Sequence, residues 1–400
     1  MTKFGIDLAG SVKELTRQAV GEALADANCT VPQIEAAWFA NTSQGSLEGQ
    51  HMVRGQAALR PLGFAGIPIA NVENACASAS TALFEAANYL KSGAADIVLA
   101  IGAEKLSHPD RARSLGVFDA GWDVALVDES RDTLLALGGM DDTLLSPPAE
   151  RRSVFMDIYA AFARQHMRLY GSTEEQFAAV AAKNHAHSVH NERAQYRRAY
   201  SVEEVLAERS IVWPLTLPMC APVSDGAAAA VLCTEAGLRR LGTHARAVQL
   251  RSCVLGTSVD RMPDELDKHI GRVTALKAFE AASLGSDDID LAEVHDATAV
   301  GEVIQVENLG IAPRGEGGLA ALRGDTALGG QTPVNPSGGL ESKGHPIGAT
   351  GLAQIFELVT QLRGEASHRQ VSEAKVAVAE NGGGLWGVEE AVCVVSVLSR

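Results

Sequence analysis

The chain has 400 residues, 46 % hydrophobic and 21 % charged, with a formal net charge of −15 at pH 7. That length and apolar content provide for a large core, and the negative balance excludes a surface built for nucleic acid or anionic membrane, which demand positive fields. The six cysteines form no CxxC pair, the N-terminus "MTKFGIDLAGSVKELTR" has no apolar h-region, and no apolar run is long enough to span a membrane; the sequence reads as cytoplasmic with free thiols.

Apolar residues at helical spacing cover 11–26, and 34–42 reads as a strand. In "NVENACASAS" (71–80), Cys76 stands where strand-like sequence gives way to an Ala-rich helix over 77–92. A continuous apolar run at 97–106 predicts a buried strand. Periodicity then fades from 107 to 152 among Pro and Gly punctuators, too long for a bare connection, so 107–222 reads as an inserted region. Within it, 153–169 and 173–187 are predicted helices, and the strand at 227–235 returns the chain to the core. Strands at 247–257 and 291–297 and helices at 272–283 and 297–308 follow. A glycine-rich turn then enters a helix over 344–364, and 375–398 reads as strand, glycine loop and strand. The alternation specifies a layered α/β fold. Both halves carry a small-residue loop entering a helix beside buried strands, which suggests an internal duplication.

A thiol at a helix N-terminus has its thiolate stabilised by exposed N–H groups and the macrodipole. Cys76 is placed for that, although a small buried core residue is the competing reading. In "SGGLESKGHPIGATG" (337–351), glycines frame His345 and Pro346 holds it, unlike a histidine satisfied in a core; within reach of a cysteine it would take the thiol proton. "EVHDATAVGE" (293–302) puts His295 at a strand end, where α/β sites collect. "ENGGGLWG" (380–387) fits GxGxxG by letter but is followed by no helix, so its glycines suit either an oxyanion contact or a hairpin turn. The three histidines of "HAHSVH" (185–190) lack a carboxylate or cysteine partner and predict no metal site. Arg193, Arg197 and Arg198 form the clearest basic cluster, able to meet phosphates or simply to solvate a surface.

Together "NACASAS", "AQYRRAYSVEEV", "PMCAPVSDGAAA", "EVHDA", "NPSGGLESKGHPIGATGLAQI" and the terminal "NGGG", in order from about residue 3 to 398, resemble the thiolase superfamily. The likeness is to its sterol-carrier-protein-type and archaeal acetoacetyl-CoA branch. It implies two similar α/β halves, 1–240 and 241–400, stacked as five layers (αβαβα), with 107–222 as an inserted loop domain. It implies a homodimer or tetramer acting on coenzyme A thioesters without a permanently bound cofactor or metal. Cys76 then matches the acyl-accepting nucleophile, and His345 matches the histidine that activates it and helps stabilise the enolate oxygen. His295 takes the place of the polar residue of that second oxyanion hole. Gly382 and Gly383, with Asn381, match the loop whose backbone acts with the Cys76 N–H in the first, and Arg193, Arg197 and Arg198 are the candidates for CoA contact.

The chain departs from the resemblance in two respects. Many thiolases carry a second cysteine before the terminal glycines or in the histidine–aspartate motif, where this chain has Glu380-Asn381 and Ala297; Glu380 or His295 is left to act as base. The family usually has a strand preceding "MTKFG", so the true start is expected earlier or the strand is missing. Two other functions fit less well. A thiolase-like carbon–carbon lyase, such as a steroid side-chain retro-aldolase with a small OB-fold/zinc-ribbon partner, would tend to have tyrosine at position 295. A non-catalytic lipid-CoA binding protein would need neither Cys76 nor His345.

Overall fold

The computed structural model describes residues 1–7, 9–139 and 152–400. In chain order its strands are β1 (Ala36–Ala40), β2 (Ile69–Val72), β3 (Ile97–Lys105), β4 (Ser210–Val212), β5 (Leu215–Thr216), β6 (Asp225–Cys233), β7 (Gln249–Thr257), β8 (Leu291–Glu293), β9 (Val376–Gly383) and β10 (Val392–Ser399). Two sheets of four strands, ordered β2-β1-β3-β6 and β7-β10-β9-β8, form the frame, and β4 and β5 make a separate ribbon. In the first sheet β1 runs parallel to β2 and β3, and β6 is antiparallel to β3. In the second β8 is parallel to β9, and β10 is antiparallel to β9 and β7.

Two further segments complete a common pattern. Residues 2–5 lie along β6, with the Thr2 N–H donating to the Ala227 carbonyl at 2.9 Å and the Asp225 N–H to that of Gly5 at 2.7 Å. Residues 333–335 lie along β8, with the Ala292 N–H donating to Pro333 at 3.0 Å and the Asn335 N–H to Ala292 at 2.8 Å. With these included, each sheet reads, across its width, first, fifth, fourth, second and third segment in chain order. The duplication suspected in the sequence is therefore carried by topology.

The longer helices among the described residues are α1 (Val12–Asp26), α2 (Ser78–Lys91), α3 (Val127–Gly138), α4 (Val154–Tyr170), α5 (Glu174–Ser188), α6 (Ile270–Ala282), α7 (Ala299–Asn308) and α8 (Thr350–Leu362). Strand alternation sorts them into layers. Ile97, Leu99 and Ile101 of β3 pack with Leu15 and Ala19 of α1, while Val98 and Ala100 turn to Ala82 and Leu83 of α2. In the second sheet Ala377, Ala379 and Val394 meet that central layer, which includes Leu352 and Leu358 of α8. Val378, Val395 and Val397 face Ala275 and Phe279 of α6. The order is helix, sheet, paired helices, sheet, helix: the five-layer thiolase arrangement.

The inserted region is more regular than its sequence suggests. Residues Arg111–Gly116 and α3 are helical within the stretch read as aperiodic, and 140–151 of that stretch lie outside the described residues. Pro and Gly hide these short helices, and α3, whose N-terminus has no side-chain cap, depends on tertiary packing. Leu134 and Leu137 join Ile158 and Phe162 of α4, Phe177 of α5 and Val300 and Val303 of α7 in one apolar cluster. The insertion thus packs on the second half, although it leaves the chain from the first. Two boundaries also differ: β8 stops at Glu293, and β9 continues through Gly382 and Gly383 rather than ending in a loop. No helix among the described residues is long and apolar enough to cross a membrane.

Candidate active site

The two central helices bring their N-terminal approaches together. Cys76 precedes α2 and His345 precedes α8, each following the third strand segment of its own half. Cys76 sits in a tight turn that Ala75 enters with φ +48°, a left-handed geometry costing a non-glycine residue about 1–2 kcal/mol. Local hydrogen bonds hold the strain: the Ala75 N–H reaches Glu73 Oε1 at 2.7 Å, the Ala77 N–H reaches the Asn74 carbonyl at 3.0 Å, and the Ser78 hydroxyl donates to the Ala75 carbonyl at 2.6 Å. Cys76 keeps some accessible surface. Its thiol nevertheless lies deep enough that burial, with Glu104 and Glu73 adding repulsion, pushes it up to about 12. At neutral pH it is a thiol and needs a proton acceptor.

His345 is that acceptor. Its Nε2 lies 3.3 Å from the Cys76 sulfur and its Nδ1 lies 2.7 Å from Thr350 Oγ1. The Thr350 hydroxyl donates its one proton to the Pro346 carbonyl at 3.2 Å. Oγ1 must then accept from Nδ1–H, which leaves the Nε2 lone pair facing the thiol. Burial, with His295 and Lys343 contributing, holds the imidazole well below its ordinary range, so it is neutral before reaction.

His295 lies beside them, its ring centroid 5.3 Å from that of His345, and burial lowers it to about 4. The Cys76 sulfur and one ring nitrogen from each histidine lie within 4.8 Å of one another, the one such group among the described residues spaced to hold a metal ion. A buried thiol–imidazole hydrogen bond with a fixed tautomer is equally the geometry of an activated nucleophile.

Strand β9 forms the next wall, and its alternation divides the candidates there. Gly383 presses on the nucleophile turn: a Cβ would stand 2.5 Å from the Asn74 carbonyl oxygen and 2.8 Å from the Ala77 nitrogen. Gly382 faces the other way, toward His295. Asn381 accepts from the Ser80 hydroxyl of α2 at 2.8 Å, so its amide ties β9 to the helix.

Several supporting residues carried no signal strong enough to be found in the sequence. Glu104, at the end of β3, accepts from the backbone N–H groups of Thr42, Ser43 and Gly348, each at 3.0 Å, and so staples the two halves beneath Cys76. An acid closing an apolar strand was the available hint. The loop before His345 is held by Asp296, which accepts from the Leu340 N–H at 2.7 Å, and by the buried Lys343–Glu293 pair at 3.0 Å. Thr350 looked like any first-turn residue.

The basic cluster is not gathered at the thiol. Arg193 pairs with Glu22 at 3.0 Å, donates to the Met1 carbonyl and stacks over Phe356. Arg197 donates to the Val189 carbonyl, Arg198 lies over Tyr200, and none of the three bonds to Cys76, His295 or His345. In "HAHSVH", His185 and His187 contact backbone carbonyls and His190 packs on His368.

Residues 1–200 match the model for the thiolase N-terminal domain, and 253–397 match that for a thiolase C-terminal domain-like unit. Human sterol carrier protein 2 is 38 % identical over 390 residues, covering 95 % of this chain and 68 % of that protein. An acetyl-CoA acetyltransferase of Methanothermobacter thermautotrophicus is 36 % identical, covering 100 % and 97 %. The benzoylsuccinyl-CoA thiolase subunit BbsB of Thauera aromatica is 32 % identical, covering 96 % and 92 %. The solved Ltp2-ChsH2(DUF35) aldolase shares the fold with a TM-score of 0.77 at 23 % identity, covering 100 % of this chain and 95 % of that one. Matched in both halves and along nearly its whole length, the chain belongs to the thiolase family.

Proposed function

We propose that the protein is a thiolase-type acyltransferase that forms or cleaves 3-oxoacyl-CoA thioesters through an acyl-Cys76 intermediate. The observation that carries this reading is the 3.3 Å contact from Cys76 sulfur to an Nε2 whose lone pair Thr350 holds free. In the first half-reaction His345 takes the thiol proton as sulfur attacks the acyl carbonyl. The C–S bond to CoA then breaks, and the departing thiolate recovers the proton. One thioester replaces another, so little free energy separates the two states. Backbone N–H groups of the Cys76 turn and the adjoining glycine strand are the proposed oxyanion donors, each worth about 3 kcal/mol in comparable sites. In the second half-reaction an acyl-CoA loses a proton at carbon and attacks acyl-Cys76. The relatives named for acetyl-CoA and benzoylsuccinyl-CoA chemistry support thioester substrates. The repeated strand order supports halves meeting near residue 240, with 107–222 inserted.

Incubation with acetyl-CoA is expected to add one acetyl group to the wild-type protein and none to Cys76→Ala, read by intact-mass spectrometry. An equal mass increase in both proteins overturns the assignment.

A further inference from the structure

The reaction proposed above needs an acceptor for the carbon-bound proton, and neither Glu380 nor Ala297 is free to serve. Ala297 has no titratable group. Glu380 has both oxygens engaged, Oε2 by the His295 backbone N–H at 3.0 Å and Oε1 by the Cys393 thiol at 3.4 Å.

His295 is in the opposite condition. Both of its ring nitrogens are buried without a hydrogen-bond partner, and the Oε2 of Glu390 is a third buried atom in the same state. Each such atom costs about 1–3 kcal/mol unless something meets it during function. The two residues face each other across Gly382. A Cβ there would stand 3.2 Å from His295 Nδ1, 2.7 Å from Glu390 Cγ and 3.3 Å from its carboxyl carbon, so only glycine leaves the space between them open. Glu390 is held from behind. Its Oε1 accepts from the Gln305 amide at 3.0 Å, and its Oε2 lies 3.7 Å from His269 Nε2. His269 Nδ1 accepts the Gly271 N–H at 3.1 Å, which leaves the ring proton on Nε2, on the side of Glu390. Glu390 and His269 also line one pocket with Arg261 and Arg314.

We propose that His295 and Glu390 form the acid/base dyad of the carbon–carbon step, His295 as the catalytic base and Glu390 as the positioning residue behind it. This rests on the acyl-Cys76 reading. The C–H bond of the attacking acyl-CoA breaks and its proton passes to the open ring nitrogen of His295. The electron pair forms the new C–C bond to the acyl carbonyl, and the C–S bond to Cys76 breaks with its pair returning to sulfur. The Cys76 thiolate then takes the proton from the His295 imidazolium, which the Glu390 carboxylate stabilises in the interval. Burial keeps His295 neutral before the step, and burial with Glu389 raises Glu390 to about 7. The other charged groups facing Glu390 are Arg261, His269 and Glu380.

The test compares wild type, Glu390→Gln and Glu390→Asp with acetyl-CoA in D2O, following acetylation of Cys76 and deuterium entry into the acetyl methyl group. Glu390→Gln is expected to acetylate Cys76 yet lose deuterium exchange by at least ~100-fold, and Glu390→Asp to recover about tenfold of that loss. Exchange in Glu390→Gln within about threefold of wild type overturns the dyad. Should the Gln variant fail to acetylate, Glu390→Asp decides: undiminished exchange there overturns the dyad, and exchange depressed with acetylation retained supports it. Absence of acetyl-Cys76 in the wild type refutes the parent reading instead, and is seen before exchange is measured.

Discussion

Burial works on the two partners of the nucleophile in opposite directions. It raises the Cys76 thiol to about 12 and holds His345 well below its ordinary range, so both are neutral at pH 7. Reactivity then depends on proton transfer within one hydrogen bond rather than on a standing thiolate. His345→Ala is expected to slow alkylation of Cys76 by iodoacetamide at least ~100-fold at pH 7. The residual rate should climb about tenfold per pH unit from pH 7 to 10, because the thiolate fraction grows with pH below the thiol pKa. Wild-type kinetics at neutral pH in this variant would remove His345 from the role. Cys76 and His345 were legible in the sequence by residue type and glycine framing. Thr350 and Glu390 were not, since a hydroxyl in a first turn and an acid in a hairpin are ordinary exposed residues until the chain folds around them.

The elements that align these residues are α2 and α8, which cross at glycine. At Gly351 a Cβ would stand 2.6 Å from Asn381 Oδ1 and 2.7 Å from the Ser80 nitrogen. Gly351→Ala must therefore part α8 from both α2 and β9, and is expected to destabilise the fold by about 1–3 kcal/mol. The same displacement moves His345 from Cys76 and should slow its alkylation. Denaturant unfolding and alkylation measured together check this, and wild-type values in both would show that the helices are not locked at that point. Most helices and strands of both halves were readable from period, but the strand segments 2–5 and 333–335 were not. The helices of 107–139 were not; the apolar residues of α3 find partners distant in sequence, among them those of α4, α5 and α7.

Across the whole molecule the site lies where the sheets' strand ends meet the central helix pair, so buried charge from both halves converges there. Glu380 shows the consequence. Burial, with Glu390 beside it, raises its carboxyl from 4.5 to about 8. The folded protein therefore binds a proton that the unfolded chain releases near pH 4.5. This contribution to stability is present below about pH 4.5 and is lost as pH rises toward 8. Glu380→Gln does not titrate, so its stability relative to wild type is expected to improve between pH 5 and pH 8. Urea midpoints at the two values measure the change, and a constant difference would show that Glu380 carries no proton in the fold.

Sequence alone determined the layered α/β class, the two chemistry-bearing loops and the thiolase likeness, because periodicity and glycine placement are local properties of the chain. It also showed that the second thiol is missing. Only the tertiary structure decided which nitrogen of His345 faces sulfur, that Arg193 is committed to Glu22, and that Glu390 stands across Gly382 from His295. Those facts depend on residues far apart in sequence, whose distances are set when two sheets close on one pair of helices.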